Sequence, residues 1–219
     1  MEKQDYVNIL EERLWERVDD YFGDKNGVQV AQVNHVDINP EDWIQFSIDN
    51  FDLADQNHEE PKAHYVEEMN WLSIVNNKLG RNKYNSFELN YGKQGDTNAQ
   101  LIELLGSENI DRLGIEQDCL LLRLLVNMPG NGVPWHEDAA ESYLRMFPSV
   151  RGLEQCTRLW FPVIDWCNGH AFQIGNSVLT HWSAGDVWNI PWGVPHASTN
   201  FGYKVKYTVS LTGKIKHGI

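Results

Sequence analysis

The chain has 219 residues, of which 42% are hydrophobic and 22% are charged, and its formal net charge is −13. This length and composition are typical of one globular domain with an extension, and the chain contains no repeat or low-complexity tract. The acidic balance argues against nucleic acid as a partner, and no apolar run approaches the roughly 18 residues of a membrane span.

The first half of the chain has mostly helical patterns. Apolar periodicity predicts a helix over 3–22 that ends before Gly23. Asn39 followed by Pro40 and two acidic residues predicts a further helix start, because Asn caps well and Pro suits the first turn. The other elements expected here are a strand at 28–33, a helix at 64–79, a strand at 83–91 and helical segments at 97–106 and 107–113.

From residue 118 the pattern changes to short strands. The apolar run 119–128 ends at a PGNG turn and predicts a buried strand on which Arg123 and Asn127 share one face. Gly- and Pro-rich turns separate the later strand candidates, as in a sandwich or barrel. We therefore predict an α+β chain with a mainly β core, in which 1–219 form a single domain. A mostly helical part at 1–117 packs on an antiparallel double-sheet roll at 118–213. The later strands are expected at 157–164, 170–174, 177–182, 186–190 and 203–212.

Three side chains of the second half have the residue types of a metal site. His136 and Asp138 are two residues apart behind a Gly/Pro-rich turn, and His196 follows a second turn. Two histidines and one carboxylate form the facial triad that holds ferrous iron and leaves three positions open. Lys206 lies ten residues beyond His196 on an alternating strand, where a cation is suited to an anionic co-substrate.

This HxD…H…K-x-T set, on this strand pattern, resembles the 2-oxoglutarate- and iron(II)-dependent oxygenases over roughly residues 120–213, most of all the aspartyl/asparaginyl- and prolyl-hydroxylase-like branch, including small phage-type members. The resemblance implies a double-stranded β-helix, a cupin-like jelly roll. It implies Fe(II), 2-oxoglutarate and O2 as cofactor and co-substrates, and hydroxylation of an unactivated C–H bond. His136, Asp138 and His196 would then be the iron ligands.

The same resemblance implies residues for binding 2-oxoglutarate. Lys206 stands where the family usually has Arg, and Thr208 stands where its R-x-S motif has Ser. Lysine is a point charge and not a two-pronged clamp, and Lys204 is an alternative partner. Two further cofactor candidates are Arg158 and Arg123. A buried guanidinium such as that of Arg123 needs a carboxylate of 2-oxoglutarate, a substrate group or a neighbouring Asp.

Asn127 completes the predicted cofactor set, because it shares its sheet face with Arg123. Residues 139–156 form a long insertion after the HxD motif and are expected to cover the substrate as a loop. Tyr143 and Arg145 within this insertion are candidate substrate contacts, as is Trp135 beside the first metal ligand.

Two rival functions stay open at this point. One is a cupin-type metalloenzyme with the same triad and no use of 2-oxoglutarate. The other is a non-catalytic jelly-roll binding module. The expected partner is a small-molecule, peptide or protein substrate that is hydroxylated on an amino-acid side chain. Neither nucleic acid nor a membrane is expected as a partner. Three cysteines without a CxxC pair favour a reducing, cytoplasmic location. The oligomeric state is left open.

Overall fold

The computed structural model of the protein describes residues 30–56, 88–91, 95–136, 138, 140–175 and 177–216. The predicted helices at 3–22 and 64–79 lie outside these residues. The described strands are β1 (Gln32–His35), β2 (Asp55–Gln56), β3 (Glu88–Tyr91), β4 (Ile115–Asn127), β5 (Asn131–His136), β6 (Cys156–Pro162), β7 (His170–Ile174), β8 (Ser177–Leu179), β9 (Asp186–Asn189), β10 (His196–Asn200) and β11 (Lys206–Ile215).

The described residues also form four α-helices. The first begins as its sequence predicts, because the Asn39 side chain accepts a hydrogen bond from the Glu41 N–H and Pro40 occupies the first turn. None of the described helices is both long and apolar enough to cross a membrane. The helices are α1 (Pro40–Asp49), α2 (Gly95–Leu105), α3 (Ser107–Arg112) and α4 (Ala140–Met146).

The strands form two antiparallel sheets, whose inner faces contact each other. The large sheet has the order β1-β9-β6-β11-β4-β3-β2, and the small sheet has the order β5-β10-β7-β8. Strands adjacent in sequence repeatedly fall in opposite sheets, as β4 and β5 or β10 and β11 do. This arrangement is a double-stranded β-helix, the jelly-roll architecture, with a few helices on the large sheet.

Alternation along β11 divides the large sheet into two faces. β11 lies between β4 and β6 and pairs with both, so it is an interior strand of the sheet. Val209 and Leu211 point to the outer face, whereas Lys206 and Thr208 point toward the small sheet. Successive strand residues face opposite ways, so a polar residue at every second position creates one polar face.

The outer face of the large sheet carries the main apolar core. Helices α1, α2 and α3 cover it with Trp43, Leu101 and Ile110, all buried. Each strand contributes alternate residues, and the ring of Trp43 meets Phe161 edge-on at 5.9 Å between centroids. The strand residues of this core include Leu120, Leu122, Leu124, Val126, Leu159, Phe161, Val209 and Leu211.

A second, aromatic core joins the two sheets. Trp160 of β6 stacks on Phe172 of β7 with ring centroids 4.5 Å apart. Trp182 and Trp188 contact the same Trp160 ring at 5.2 and 5.5 Å. The tryptophan-rich second half therefore fills the interior between the sheets.

The turn signals of the second half hold in the structure. In the predicted Asn-Gly turn before β7, Gly169 has φ +92°, and a Cβ there would collide with the backbone of Gly202. Only glycine adopts this conformation without strain. Strand 170–174 matches its prediction, and 203–212 is shifted to 206–215.

Two expectations about organisation differ from the structure. Strands β1, β2 and β3 come from the first half yet join the large sheet, so the roll extends beyond the predicted 118–213. The predicted covering loop at 139–156 contains helix α4 and a 3₁₀ turn at 153–155. Both differences arise from sheet pairing and side-chain packing, which local patterns do not encode.

Candidate functional site

The strand register brings the predicted metal ligands to one end of the small sheet. Strand β10 pairs with β5, and His196 lies directly opposite His136. Asp138 follows β5 by two residues. The side chains of His136 and Trp135 lie outside the described part of the structure, so only their backbone positions enter here.

Asp138 and His196 contact each other. The Oδ2 atom of Asp138 lies 3.5 Å from Nε2 of His196. Nδ1 of the buried imidazole lies 3.2 Å from the carbonyl oxygen of Val194. A carbonyl only accepts, so Nδ1 is the donor in this contact and Nε2 is the ring nitrogen that faces Asp138. A metal bound by this imidazole would therefore be held through Nε2.

A buried guanidinium lies beside this pair. Arg158 of β6 is 2% exposed, and its Nη2 forms an ion pair with the Asp138 carboxylate. The same Nη2 lies 3.5 Å from Nε2 of His196. The guanidinium carbon lies 4.9 Å from the ring centroid of Trp192. Arg158, predicted as a co-substrate contact, therefore contacts both described members of the predicted metal triad.

Lys206 is the interior lysine of the last strand. It is 0% exposed, whereas Lys204 lies in a bend before β11 and is exposed. The ammonium donates to the carbonyl of Ala171 at 2.7 Å, the hydroxyl of Ser198 at 2.7 Å and the carbonyl of Thr199 at 3.3 Å. These acceptors are neutral oxygens on the facing small sheet.

Two buried polar side chains next to Lys206 have no hydrogen-bond partner in the part of the chain that the structure describes. Asn127 lies opposite Lys206 in the β4–β11 register, and Thr208 follows two residues along the same face. The amide atoms of Asn127 and the hydroxyl of Thr208 have no hydrogen-bond partner among the described residues. Buried polar atoms are ordinarily paired, so these mark a place where a polar ligand can bind.

Asp138 also lines a cavity of about 100 Å³. Arg123 and Arg158 line it with two guanidinium groups. Helix α4 contributes Tyr143, whose hydroxyl donates to the Cys119 carbonyl at 2.5 Å, and burial raises the pKa of this hydroxyl. Arg145 is exposed on the same helix, outside the lining of the cavity.

Sequence reasoning missed several polar residues of this site. Ser198 binds Lys206, and Ser210 and Thr212 line the cavity. The signal for the last two was available, since residues 206–212 read KYTVSLT, with a polar side chain at every second position. The alternation rule, applied to the whole strand, places Lys206, Thr208, Ser210 and Thr212 on one face.

The metal triad itself stays a prediction. Among the described side chains no group of three His, Cys, Asp or Glu residues is placed to hold a metal, and His136 is not among them. The donor chemistry of the described pair does suit a divalent transition metal, because one imidazole nitrogen faces one carboxylate. Two donors that share an ion at roughly 2.1 Å lie about 3 Å apart, close to the separation seen here.

No protein-family model and no curated protein matches the chain. Solved structures are similar to parts of it. The cupin domain of Cnp3 from Schizosaccharomyces pombe matches with 8% identity and a TM-score of 0.32, over 45% of this chain and 58% of that one. A Klebsiella pneumoniae protein with a double-stranded β-helix domain matches with 18% identity and a TM-score of 0.31, over 45% and 70%. A predicted oxalate decarboxylase from Thermotoga maritima matches with 14% identity and a TM-score of 0.31, over 50% and 75%.

Proposed function

We propose that this chain is a 2-oxoglutarate- and Fe(II)-dependent oxygenase that hydroxylates an unactivated C–H bond. One observation carries the proposal. Strand β10 connects the Asp138–His196 pair with the buried ammonium of Lys206. It contains His196, and the ammonium donates to Ser198, two residues further along the strand. Two residues of a strand span roughly 7 Å, a separation suited to a short dicarboxylate between metal and ammonium.

Asp138 and His196 would hold the iron together with His136, which lies opposite His196 in the strand register. A ligand set of two histidines and one carboxylate leaves positions for a chelating co-substrate and O2. When bound, iron and 2-oxoglutarate supply the oxidising power, and the protein supplies position and surroundings.

Lys206 would bind the far carboxylate of 2-oxoglutarate. An ammonium–carboxylate hydrogen bond is about twice as strong as a neutral one, and the site is enclosed by aromatic rings. Phe172 and Trp182 lie 6.0 and 5.6 Å from the ammonium. The hydroxyl of Thr208 and the amide of Asn127, which have no partner among the described residues, would donate to the same carboxylate.

Arg158 is a positioning residue in this proposal. Its guanidinium holds Asp138 from the buried side and stacks near Trp192. A fixed carboxylate loses less freedom when it binds a metal, so preorganisation of this kind strengthens metal binding. The Val194 carbonyl, which holds Nδ1 of His196, fixes the ring and acts in the same direction.

A second candidate is a metalloenzyme that uses the same residues without 2-oxoglutarate. One observation favours it, because all three donors of the Lys206 ammonium have a protein oxygen within 3.3 Å. Under this alternative Lys206 ties the two sheets together and binds no co-substrate. The two candidates differ in what removal of Lys206 does.

Anaerobic titration tests the proposal directly. Protein loaded with Fe(II) is titrated with 2-oxoglutarate, and the visible charge-transfer absorption of the chelate is recorded for the wild type, Lys206→Ala and Lys204→Ala. We expect saturable absorption in the wild type and in Lys204→Ala. In Lys206→Ala the affinity for 2-oxoglutarate should fall roughly 10- to 100-fold, as for a lost hydrogen bond to a charged group.

The exposed Lys204 is the matched control for loss of one lysine from the same segment. No absorption in the wild type would refute the proposal. Equal affinities of the two variants for 2-oxoglutarate would show that Lys206 does not bind the co-substrate, whereas Fe(II) binding without any 2-oxoglutarate absorption would favour the metalloenzyme that does not use 2-oxoglutarate. Under O2, formation of succinate without added substrate is the corresponding activity measurement.

A further inference from the structure

The cavity that Asp138 and Arg158 line has a chemistry of its own. Two of its lining side chains are guanidinium groups, one is a carboxylate, and Ser142, Ser210 and Thr212 add hydroxyls. Its described lining therefore carries one net positive charge. A single water needs roughly 10–15 Å³ of such space, so a cavity of about 100 Å³ holds several heavy atoms.

Arg123 is the unusual member of this lining. It lies in the apolar strand β4, opposite Ser210 of β11. Its Nε is buried and has no hydrogen-bond partner among the described residues. An unpaired buried donor on a charged group is costly, and a planar guanidinium is best satisfied by the two oxygens of a carboxylate.

The position of Arg123 separates it from the predicted 2-oxoglutarate site. Asn127 lies opposite Lys206, whereas Arg123 lies opposite Ser210, four residues along the strand. Four strand residues span roughly 13 Å, which is longer than a five-carbon diacid. Lys206, Asn127 and Thr208 are not among the residues that line the cavity, so we assign the cavity to a second anion.

We propose that this cavity binds the carboxylate of a small acidic substrate and that Arg123 is its principal contact. The inference rests on the proposed function, because Asp138 lines the cavity and sets the substrate beside the predicted iron. Leu121 and Trp192 supply apolar walls for the carbon chain. Helix α4 lines the cavity with Ser142 and Tyr143 and is anchored through the Tyr143 hydroxyl, and the volume of about 100 Å³ favours a small molecule over a polypeptide.

The test follows the Arg123 side chain itself. Protein labelled with ¹⁵N-arginine is loaded with Zn(II), as a diamagnetic substitute for iron, and saturated with 2-oxoglutarate. Propionate is then added, and the Nε–Hε resonance assigned through Arg123→Lys is recorded. We expect a saturable shift of this resonance with propionate and none with the neutral, equally sized propionamide.

Two variants measure what Arg123 contributes. The indole N–H of Trp192 reports binding in proteins that lack the Arg123 signal. We expect propionate to bind at least 10-fold more weakly to Arg123→Gln than to the wild type, and with wild-type affinity to Arg151→Gln, whose arginine is exposed. Arg123→Lys keeps the charge and should lie between the two, because lysine makes no bidentate pair.

The outcomes separate this inference from the proposed function. If Fe(II) and 2-oxoglutarate give their absorption but propionate leaves the Arg123 resonance unmoved, the inference fails and the proposed function stands. If 2-oxoglutarate alone shifts that resonance and excludes propionate, the cavity holds the co-substrate and the inference is overturned. If propionate binds while iron and 2-oxoglutarate do not, the carboxylate site stands and its ligand is no oxygenase substrate.

Discussion

The two faces of the large sheet use the same strands for different purposes. Toward the helices, β11 presents Val209 and Leu211, and these residues are fully buried among apolar neighbours. Toward the small sheet it presents polar groups, including Lys206 and Thr208, which are equally buried. Within the described residues, the inner face has buried polar atoms without a hydrogen-bond partner, namely the hydroxyl of Thr208 and the amide of Asn127. The comparison indicates that stability is concentrated on one face and ligand binding on the other.

Adjacent residues of β11 give the largest expected contrast. Leu211→Ala should lower the free energy of unfolding by about 2–5 kcal/mol, because it opens a cavity between Leu122 and Leu159. Ser210→Ala changes the inner face one residue away and should cost within about 0.5 kcal/mol. Urea unfolding of both variants measures the difference. Comparable losses would remove the proposed division between the faces.

An intermediate effect of opposite sign is expected at Thr208. Thr208→Val keeps the side-chain shape and removes a buried hydroxyl that has no partner among the described residues. Removing such a group should raise the free energy of unfolding by about 1 kcal/mol. The same change should weaken 2-oxoglutarate binding severalfold in the charge-transfer titration. A destabilised variant would show that the hydroxyl is hydrogen-bonded, and the inner face would then resemble the outer one.

The smallest effect concerns pH. Burial lowers the pKa of His170 below its usual 6.5, assisted by the charges of Lys206 and Lys204, although a hydrogen bond to the Lys204 carbonyl opposes the shift. The unfolded chain then binds more protons than the folded one below about pH 6.5, so stability falls as the pH decreases through that value. His170→Gln has no group to titrate and keeps an amide donor.

Thermal unfolding between about pH 7 and pH 5 measures this contribution. The stability of the wild type should decrease more steeply than that of His170→Gln, by less than about 1 kcal/mol over the range. Parallel pH profiles for the two proteins would mean that His170 is as readily protonated in the folded protein as in the unfolded chain.

Much of the second half was predictable because its signals are local. Arg123 and Asn127 do share one face of β4, as their even spacing predicts. Gly169 and Gly185 have positive φ in turns that the sequence marks. These outcomes depend on strand alternation and on glycine conformations, both of which operate within a few residues.

Contacts between distant residues were outside the reach of such signals. Spacing to His196 favoured Lys206 over Lys204, but the two have the same parity, and it is the start of β11 that separates their environments. Nothing in the pattern indicated that Arg158 contacts Asp138, 20 residues earlier, or that α4 forms in the insertion. Such pairings depend on which strands become neighbours in space.

The amino-acid sequence by itself determined the strands, their turns and the residue types suited to iron and an anionic co-substrate. Tertiary structure decided which of these side chains meet: His196 with Asp138, Lys206 with Ser198, and Arg123 with a cavity. The physical reason is range. Backbone conformation and alternation follow from neighbouring residues, whereas the contacts of a buried charge depend on strands that fold together from distant parts of the chain.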